Sequence, residues 1–163
     1  MKKIAWIGIG VMGNAMVSHL INAGYSCALY NRSQEKMLNL KDKAKLCSSI
    51  KDAIQDADVI FTMVGYPKDV YEVYCSEEGI LNHCKKNALC IDMTTSAPAL
   101  AVELSQIAKS KGVRLLDAPV SGGDIGAKNA TLSIMVGGDE YDYNEALTYF
   151  NLMGKQVTHI GPH

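Results

Sequence analysis

Three glycines near the start of the chain limit how its N-terminal part can fold. Gly8, Gly10 and Gly13 follow a short apolar run at residues 3–8 and open a stretch of helical periodicity at residues 12–23. A strand, a glycine-rich turn and a helix in this order are typical of a unit that binds the pyrophosphate of a dinucleotide. The first glycine permits a tight turn, the second lets the backbone approach the phosphates, and the third lets helix and strand pack closely. The alternative is a glycine-rich turn that binds no ligand.

Short apolar runs and helical patterns alternate along the rest of the chain. This alternation predicts one α/β domain over residues 1–163, a Rossmann-type, doubly wound, mostly parallel sheet with helices on both faces. Helices are predicted to begin near Ser33, Ser49, Pro67, Ser96 and Asp139. Further strands are predicted at residues 27–30, 46–47, 59–64, 88–92, 114–117, 132–136 and 157–160.

Composition excludes several classes of function. The formal net charge of −1 gives no basic excess for nucleic acid, and no apolar run approaches the roughly 18 residues of a membrane span. The five cysteines are irregularly spaced without a C-x-x-C pair, and the four histidines are scattered. These spacings predict no disulfide framework and no metal site, but reduced cysteines near the core of a cytoplasmic protein.

The end of the second predicted strand indicates which dinucleotide the turn would bind. NAD-specific sites carry a carboxylate here for the ribose hydroxyls, whereas this chain has Asn31-Arg32-Ser33. Asn31 avoids the repulsion that an Asp would exert on a 2′-phosphate. Arg32 offers a planar charged fork, and Ser33 offers a hydroxyl at a helix start. The triplet predicts NADP; the alternative is that Arg32 is an ordinary surface charge and Ser33 only a helix cap.

Another glycine-containing turn follows the strand at residues 114–117. Ser121, Gly122 and Gly123 offer a hydroxyl and closely approachable N–H groups, which suit a carboxylate ligand. Ligands of doubly wound sheets lie beyond the carboxyl ends of the strands, where this turn is expected. The alternative is a plain turn.

Two more segments follow predicted strands. Met63 and Val64 end the strand at residues 59–64 and are candidates for an apolar wall against the cofactor. Thr95 lies in a polar turn after residues 88–92, where its hydroxyl would contact a nicotinamide or ribose. The alternatives are that the first two are core residues and that Thr95 or Ser96 only caps a helix.

Taken together, these motifs resemble the β-hydroxyacid dehydrogenase family, which includes 3-hydroxyisobutyrate dehydrogenase and, more distantly, 6-phosphogluconate dehydrogenase. The matching segments are residues 7–16, 92–95, 117–123 and 131–138, and their order and spacing cover essentially the whole chain. The resemblance implies reversible hydride transfer between NADP(H) and a small β-hydroxyacid or semialdehyde. The resemblance also implies a role for each matching position. The pyrophosphate would be held by Gly8, Ile9, Gly10, Val11, Met12 and Gly13, and the 2′-phosphate by Asn31, Arg32 and Ser33. The cofactor would be lined by Met63, Val64 and Thr95. The substrate carboxylate would be bound by Ser121, Gly122 and Gly123.

The family's general acid/base lysine has no counterpart among these residues. The resemblance places it, together with a helical second domain that usually makes the dimer, beyond His163, and Lys128 is not at the family's position. We therefore expect no catalytic residue within the chain, weak NADPH binding and no turnover by the chain alone.

A second departure from the family pattern is Asn129-Ala130, where relatives usually carry a glycine. Two alternatives remain: a non-catalytic cofactor-binding or interaction module, and the N-terminal domain of a 6-phosphogluconate dehydrogenase, although no arginine-rich pocket is visible near Ser121.

Overall fold

A nine-stranded sheet forms the centre of the computed structural model, which describes residues 1–163. The strands at residues 4–7, 59–62 and 89–92 are short and buried along their whole length, as expected where both faces of a sheet are covered, whereas the outer strands are partly exposed. The strands are β1 (Ile4–Ile7), β2 (Cys27–Tyr30), β3 (Lys45–Leu46), β4 (Val59–Thr62), β5 (Leu89–Asp92), β6 (Arg114–Asp117), β7 (Val120–Ser121), β8 (Leu132–Gly137) and β9 (Gly154–Gly161).

The strand order is β3-β2-β1-β4-β5-β6-β8-β7, with β9 paired to β8. Strands β1 to β6 are all parallel, and β8 runs antiparallel to β6 and β7. From β1 the chain proceeds outwards to β3 and then returns to β4 on the other side of β1. The sheet therefore has a topological switch point between β1 and β4, which is where ligands bind in open α/β sheets.

Helices cover both faces of this sheet, which confirms the predicted doubly wound architecture. Trp6 and Phe61 belong to the apolar cluster on one face, whereas Ala5, Ile7 and Ile60 belong to the cluster on the opposite face. The alternation follows from the two-residue period of a strand. The helices are α1 (Val11–Asn22), α2 (Ile50–Ile54), α3 (Pro67–Cys75), α4 (Ile80–His83), α5 (Pro98–Ser110), α6 (Gly123–Asn129) and α7 (Glu140–Met153), and a 3₁₀ helix spans Gln34–Leu40.

Several local predictions differ from the structure. Ser33 precedes a 3₁₀ helix and makes no side-chain cap bond, and helix α5 is preceded by Ala97 rather than capped by Thr95 or Ser96. Strand β9 begins at Gly154 because α7 passes directly into it. Strand β7 and helix α6 were not predicted, since two residues are too short for a periodic signal and glycines at 123 and 126 lower the helix propensity.

The structure can be compared with the predictions on cysteines, metal sites and membrane spans. All five cysteines are free thiols, and Cys27, Cys47 and Cys90 are buried, which agrees with the prediction that they lie in or near the core. No group of three or more His, Cys, Asp or Glu side chains is arranged to hold a metal ion. None of the helices has both the length and the apolar character that crossing a bilayer requires.

Candidate functional site

A cleft of about 560 Å³ lies at the carboxyl edge of the sheet, beside the switch point between β1 and β4. Its walls come from the turn after β1, the turn after β2, the turn after β4 and the start of α3. The cleft therefore brings together residues that are far apart in the sequence. Of the predicted cofactor residues, it is lined by Gly8, Gly10, Met12, Gly13, Asn31, Arg32, Ser33, Met63 and Val64.

Each of the three glycines has a separate reason to lack a side chain. Gly8 has φ +103°, and a Cβ there would collide with the carbonyl of Met63. A Cβ on Gly13 would collide with the carbonyl of Gly8, so that helix α1 could not pack against the turn. At Gly10 nothing lies within 4 Å of a Cβ position, which leaves open space on the cleft side. This arrangement gives the glycines the packing roles that their spacing predicts.

The start of α1 presents unpaired N–H groups to the cleft. Gly10 precedes the helix without a side-chain cap, and helix geometry leaves the N–H groups of Val11, Met12 and Gly13 without carbonyl partners in the helix. Such groups, together with the helix dipole, favour an anion such as a pyrophosphate. The side chain of Val11 is 71% exposed, so Val11 would contribute through its backbone.

Asn31 joins the turn after β2 to the glycine turn. Its Oδ1 accepts a hydrogen bond from the Ile9 N–H at 2.8 Å, and its Nδ2 donates to the Ser33 carbonyl at 2.9 Å. An aspartate would keep the first bond and lose the second, because a carboxylate has no donor. Ile9 itself is buried and its N–H is already bonded, so Ile9 does not line the cleft.

The buried indole of Trp6 supports the same turn from below. Its Nε1 donates to the Gly8 carbonyl at 3.0 Å, so that a polar atom of the tight turn is satisfied inside the core. The ring stacks on Phe61 with centroids 4.9 Å apart. Trp6 therefore ties the glycine turn to strands β1 and β4.

The lining of the cleft carries charges of both signs. The Arg32 guanidinium is 79% exposed, and its Nη2 lies 4.0 Å from Oδ1 of Asp69 in the first turn of α3. Lys36, three residues after Ser33, and Glu72 line the same cleft. Lys36 was not among the predicted cofactor residues, although its position one helical turn after Ser33 could have indicated it. Asp69 had no such signal, because its proximity to Arg32 depends on the order of the strands.

A buried polar network lies beneath the cleft, between the ends of β4 and β5. The Thr62 hydroxyl donates to Asp92 Oδ1 at 2.9 Å and accepts from the Tyr74 hydroxyl at 2.8 Å. The Thr94 N–H also donates to Asp92 Oδ1, at 3.1 Å, and Thr94 Oγ1 accepts from the Val64 N–H at 3.0 Å. The network therefore positions the turns that carry Val64 and Thr95.

Burial dominates the protonation of this network. The Asp92 side chain is almost inaccessible, at 4% exposure, and desolvation raises its pKa to about 6 although hydrogen bonds from Thr94 and Thr62 oppose the rise. Near neutral pH, Asp92 is thus a buried carboxylate that accepts hydrogen bonds from the Thr62 hydroxyl and the Thr94 N–H. No pattern in the sequence distinguishes it from an exposed aspartate at the end of a strand.

The predicted substrate segment begins at the same edge of the sheet. The Met93 N–H donates to the Thr62 carbonyl at 2.8 Å, and the Ala118 N–H donates to the Asp92 carbonyl at 2.7 Å, so the residues after β4, β5 and β6 lie side by side. Three strand spacings, about 14 Å, separate β6 from β1. Ser121, Gly122 and Gly123 are exposed beyond this edge and, like the exposed Thr95, do not line the cleft itself.

Comparison with known proteins identifies the family. Residues 3–161 match the family model of the NAD-binding domain of 6-phosphogluconate dehydrogenase. The chain belongs to this family. The match covers almost the whole chain, and it confirms the resemblance that the glycine turn and the later motifs indicated.

The relatives of this 6-phosphogluconate dehydrogenase-type domain are oxidoreductases. The chain is 48% identical to an uncharacterised oxidoreductase of Bacillus subtilis over 99% of its length and 56% of the relative's. It is 46% identical to a probable 3-hydroxyisobutyrate dehydrogenase-like protein of Arabidopsis thaliana, over 94% of this chain and 46% of that one. A 3-hydroxyisobutyrate dehydrogenase of Mycobacterium tuberculosis, solved with L-serine, superposes with a TM-score of 0.93 at 32% identity, over 99% of this chain and 55% of that structure. The chain therefore spans about half the length of the relatives it matches.

Proposed function

We propose that this chain is the NADP-binding domain of an oxidoreductase that transfers hydride between NADP(H) and a small β-hydroxyacid or semialdehyde. The observation that carries the proposal is a single cleft in which the unpaired N–H groups of α1 lie together with the cations Arg32 and Lys36. A pyrophosphate suits the first feature and a 2′-phosphate the second. NADPH, when bound, supplies the hydride.

The preference for the 2′-phosphate rests on the turn after β2. No carboxylate follows β2 directly, and both polar atoms of the Asn31 amide are hydrogen-bonded to the backbone. The exposed guanidinium of Arg32 can turn toward a phosphate, and Ser33 and Lys36 add a hydroxyl and a second cation to the lining of the same cleft. A planar fork with five donors matches phosphate geometry better than a single ammonium does.

The hydride-transfer end of the cofactor belongs next to Met63, Val64 and Thr95. The first two line the cleft, and the Asp92 network holds the adjoining turns in place. Ser121, Gly122 and Gly123 would receive the substrate carboxylate through a hydroxyl and backbone N–H groups. The proton-transferring group would be a lysine outside residues 1–163, as the family resemblance implies.

The environment proposed for the whole protein rests on its thiols, and the proposed assembly rests on the family resemblance. We expect it to work in a reducing compartment such as the cytoplasm, because all five thiols are free. We expect it to form a homo-oligomer through a second, helical domain. Its partners would be the cofactor and a small carboxylate substrate rather than nucleic acid or membrane.

Calorimetric titration of the chain with NADPH and NADH tests this proposal. NADPH should bind more tightly, and Arg32→Ala should weaken NADPH binding by about tenfold to a hundredfold, as expected for loss of a charge-assisted hydrogen bond. Lys41→Ala, which removes an exposed cation outside the cleft, is the matched control and should leave both affinities unchanged.

Equal affinities for the two nucleotides, or an Arg32→Ala variant that keeps its NADPH preference, would contradict the assignment of NADP. Turnover of a β-hydroxyacid by the 163-residue chain alone would contradict the assignment of proton transfer to a lysine elsewhere. If the chain binds neither NADPH nor NADH, the proposed function as a whole is overturned.

A further inference from the structure

We propose that Asp69 is a specificity-determining residue of the cofactor cleft: it competes with the 2′-phosphate for Arg32 and so limits the preference for NADPH over NADH. This inference rests on the proposed function. It follows from the placement of a carboxylate of α3 next to the triplet Asn31-Arg32-Ser33, which itself carries only cationic and neutral side chains.

The two partners differ in how firmly they are held. The Asp69 side chain is only 18% exposed, whereas Arg32 is 79% exposed. Asp69 lies in the first turn of α3, its N–H bonds to the Tyr66 carbonyl at 2.9 Å, and its carboxylate lies over Gly65. The carboxylate is thus the fixed partner and the long guanidinium side chain the movable one.

Arg32 is the only cation within ion-pair distance of Asp69. The pair therefore supplies the carboxylate with its one opposite charge, at 4.0 Å across the mouth of the cleft. A 2′-phosphate that takes both arms of the guanidinium must draw it away from Asp69 or share it with Asp69. NADH has no phosphate at this position and leaves the pair as it is.

The carboxylate also acts on the phosphate directly. A 2′-phosphate carries close to two negative charges, and groups of like charge within a Debye length of each other repel. The lining of the cleft contains two cations, Arg32 and Lys36, and two carboxylates, Asp69 and Glu72. Only one of these carboxylates is within reach of Arg32, so the two acids are expected to differ in their effect.

Asp69→Asn and Glu72→Gln form a matched pair of variants for the test. Both remove one negative charge from α3 without changing the size of the side chain, and both residues line the cleft. Calorimetric titration of each variant with NADPH and with NADH measures the ratio of the two affinities. Asp69→Asn should tighten NADPH binding by roughly five- to tenfold, with less than a twofold change for NADH, because only the phosphate gains. Glu72→Gln should change either affinity by less than about twofold, as a solvated charge does.

The combined variant Arg32→Ala with Asp69→Asn separates competition from simple repulsion. If Asp69 acts mainly by holding Arg32, the gain in NADPH affinity should disappear in the absence of the guanidinium. A gain that persists undiminished without Arg32 would overturn the competition, and so would Asp69→Asn with an unchanged ratio of affinities. Equal weakening of both nucleotides would show that Asp69 is structural.

The outcomes for the two proposals are distinct. If the wild-type chain prefers NADPH and Asp69→Asn leaves that preference unchanged, only the role of Asp69 is wrong. If the wild-type chain binds neither nucleotide, the proposed function fails and this inference fails with it. Thermal unfolding of each variant identifies any loss of affinity that comes from loss of fold.

Discussion

The imidazole Nδ1 of His163 lies 2.6 Å from the Oδ1 of Asp117, and neither atom has another polar partner. The other ring nitrogen contacts the Leu115 carbonyl at 2.8 Å. Asp117 is the last residue of β6, directly before the segment that leads to Ser121. The pair therefore anchors the end of β9 against the edge of the sheet from which the predicted substrate segment departs.

This pair should make stability depend on pH. Burial lowers the pKa of His163, but the contact with Asp117 and the Leu115 carbonyl raise it more, so its pKa is above the ordinary value. A raised histidine pKa stabilises the fold fully below the unfolded pKa, near 6.5, and the contribution is lost as pH rises through the folded pKa.

His163→Gln should therefore cost about 1 kcal/mol of unfolding free energy at pH 5.5, and less at pH 8.5. Urea unfolding of both proteins across this range measures the difference. Asp117→Asn should remove the same pH-dependent increment, and the double variant should lose nothing further of it. A difference between wild type and variant that does not change with pH would contradict the prediction.

Asp92 should contribute a pH dependence that decreases stability as pH rises. Its pKa is about 6 in the folded protein because of burial, against about 4 in an unfolded chain, so the native state binds the extra proton between these values. Stability then falls as pH rises from about 4 to about 6, by at most about 3 kcal/mol for a shift of two units.

Asp92→Asn removes this titration while its Oδ1 can still accept from Thr62 and from the Thr94 N–H. The prediction is that, from pH 4.5 to 7, the wild-type protein loses about 2 kcal/mol more than the variant does. Urea unfolding at fixed ionic strength provides the measurement. Parallel stability curves for the two proteins would mean that Asp92 titrates normally.

The backbone at Ala130 offers a stabilising substitution. Ala130 ends helix α6 with φ +56°, a left-handed conformation that a Cβ disfavours. We expect Ala130→Gly to raise the free energy of unfolding by about 0.5–1 kcal/mol. Asn87→Gly, at φ +65°, is the control and should change stability little, because asparagine tolerates this conformation. A destabilised Ala130→Gly variant in thermal unfolding would show that backbone entropy outweighs the strain.

The glycine turn could be predicted from the sequence because its causes are local. The atoms that exclude a Cβ at Gly8 and Gly13 belong to the same strand–turn–helix unit or to the turn after the adjacent strand, and periodicity alone locates β1 and α1. The same holds for the triplet after β2, whose chemistry is visible in three consecutive residues. Together with Met63 and Val64, these local signals predicted half of the residues that line the cleft.

The features that escaped prediction depend on tertiary neighbours. Asp69 reaches Arg32 only because β4 lies on the far side of β1, and Asp92 differs from other aspartates only in what buries it. Helix α6 contradicts its own propensity, since Gly126 is buried and its small size accommodates Leu132. In each case packing outweighs the local preference.

Asn31→Asp tests the link between the turn after β2 and the choice of cofactor. The aspartate keeps the bond from the Ile9 N–H, loses the donor to the Ser33 carbonyl, and brings a negative charge near the expected 2′-phosphate. Loss of the donor should weaken both nucleotides. The charge should weaken NADPH further, whereas for NADH the carboxylate can accept from the ribose hydroxyls and offset part of the loss. We expect NADPH affinity to fall by at least about tenfold and NADH affinity by less than about threefold, as measured by calorimetry at 0.1 M salt. An equal decrease for the two nucleotides would mean that Asn31 acts only through the backbone of the turn.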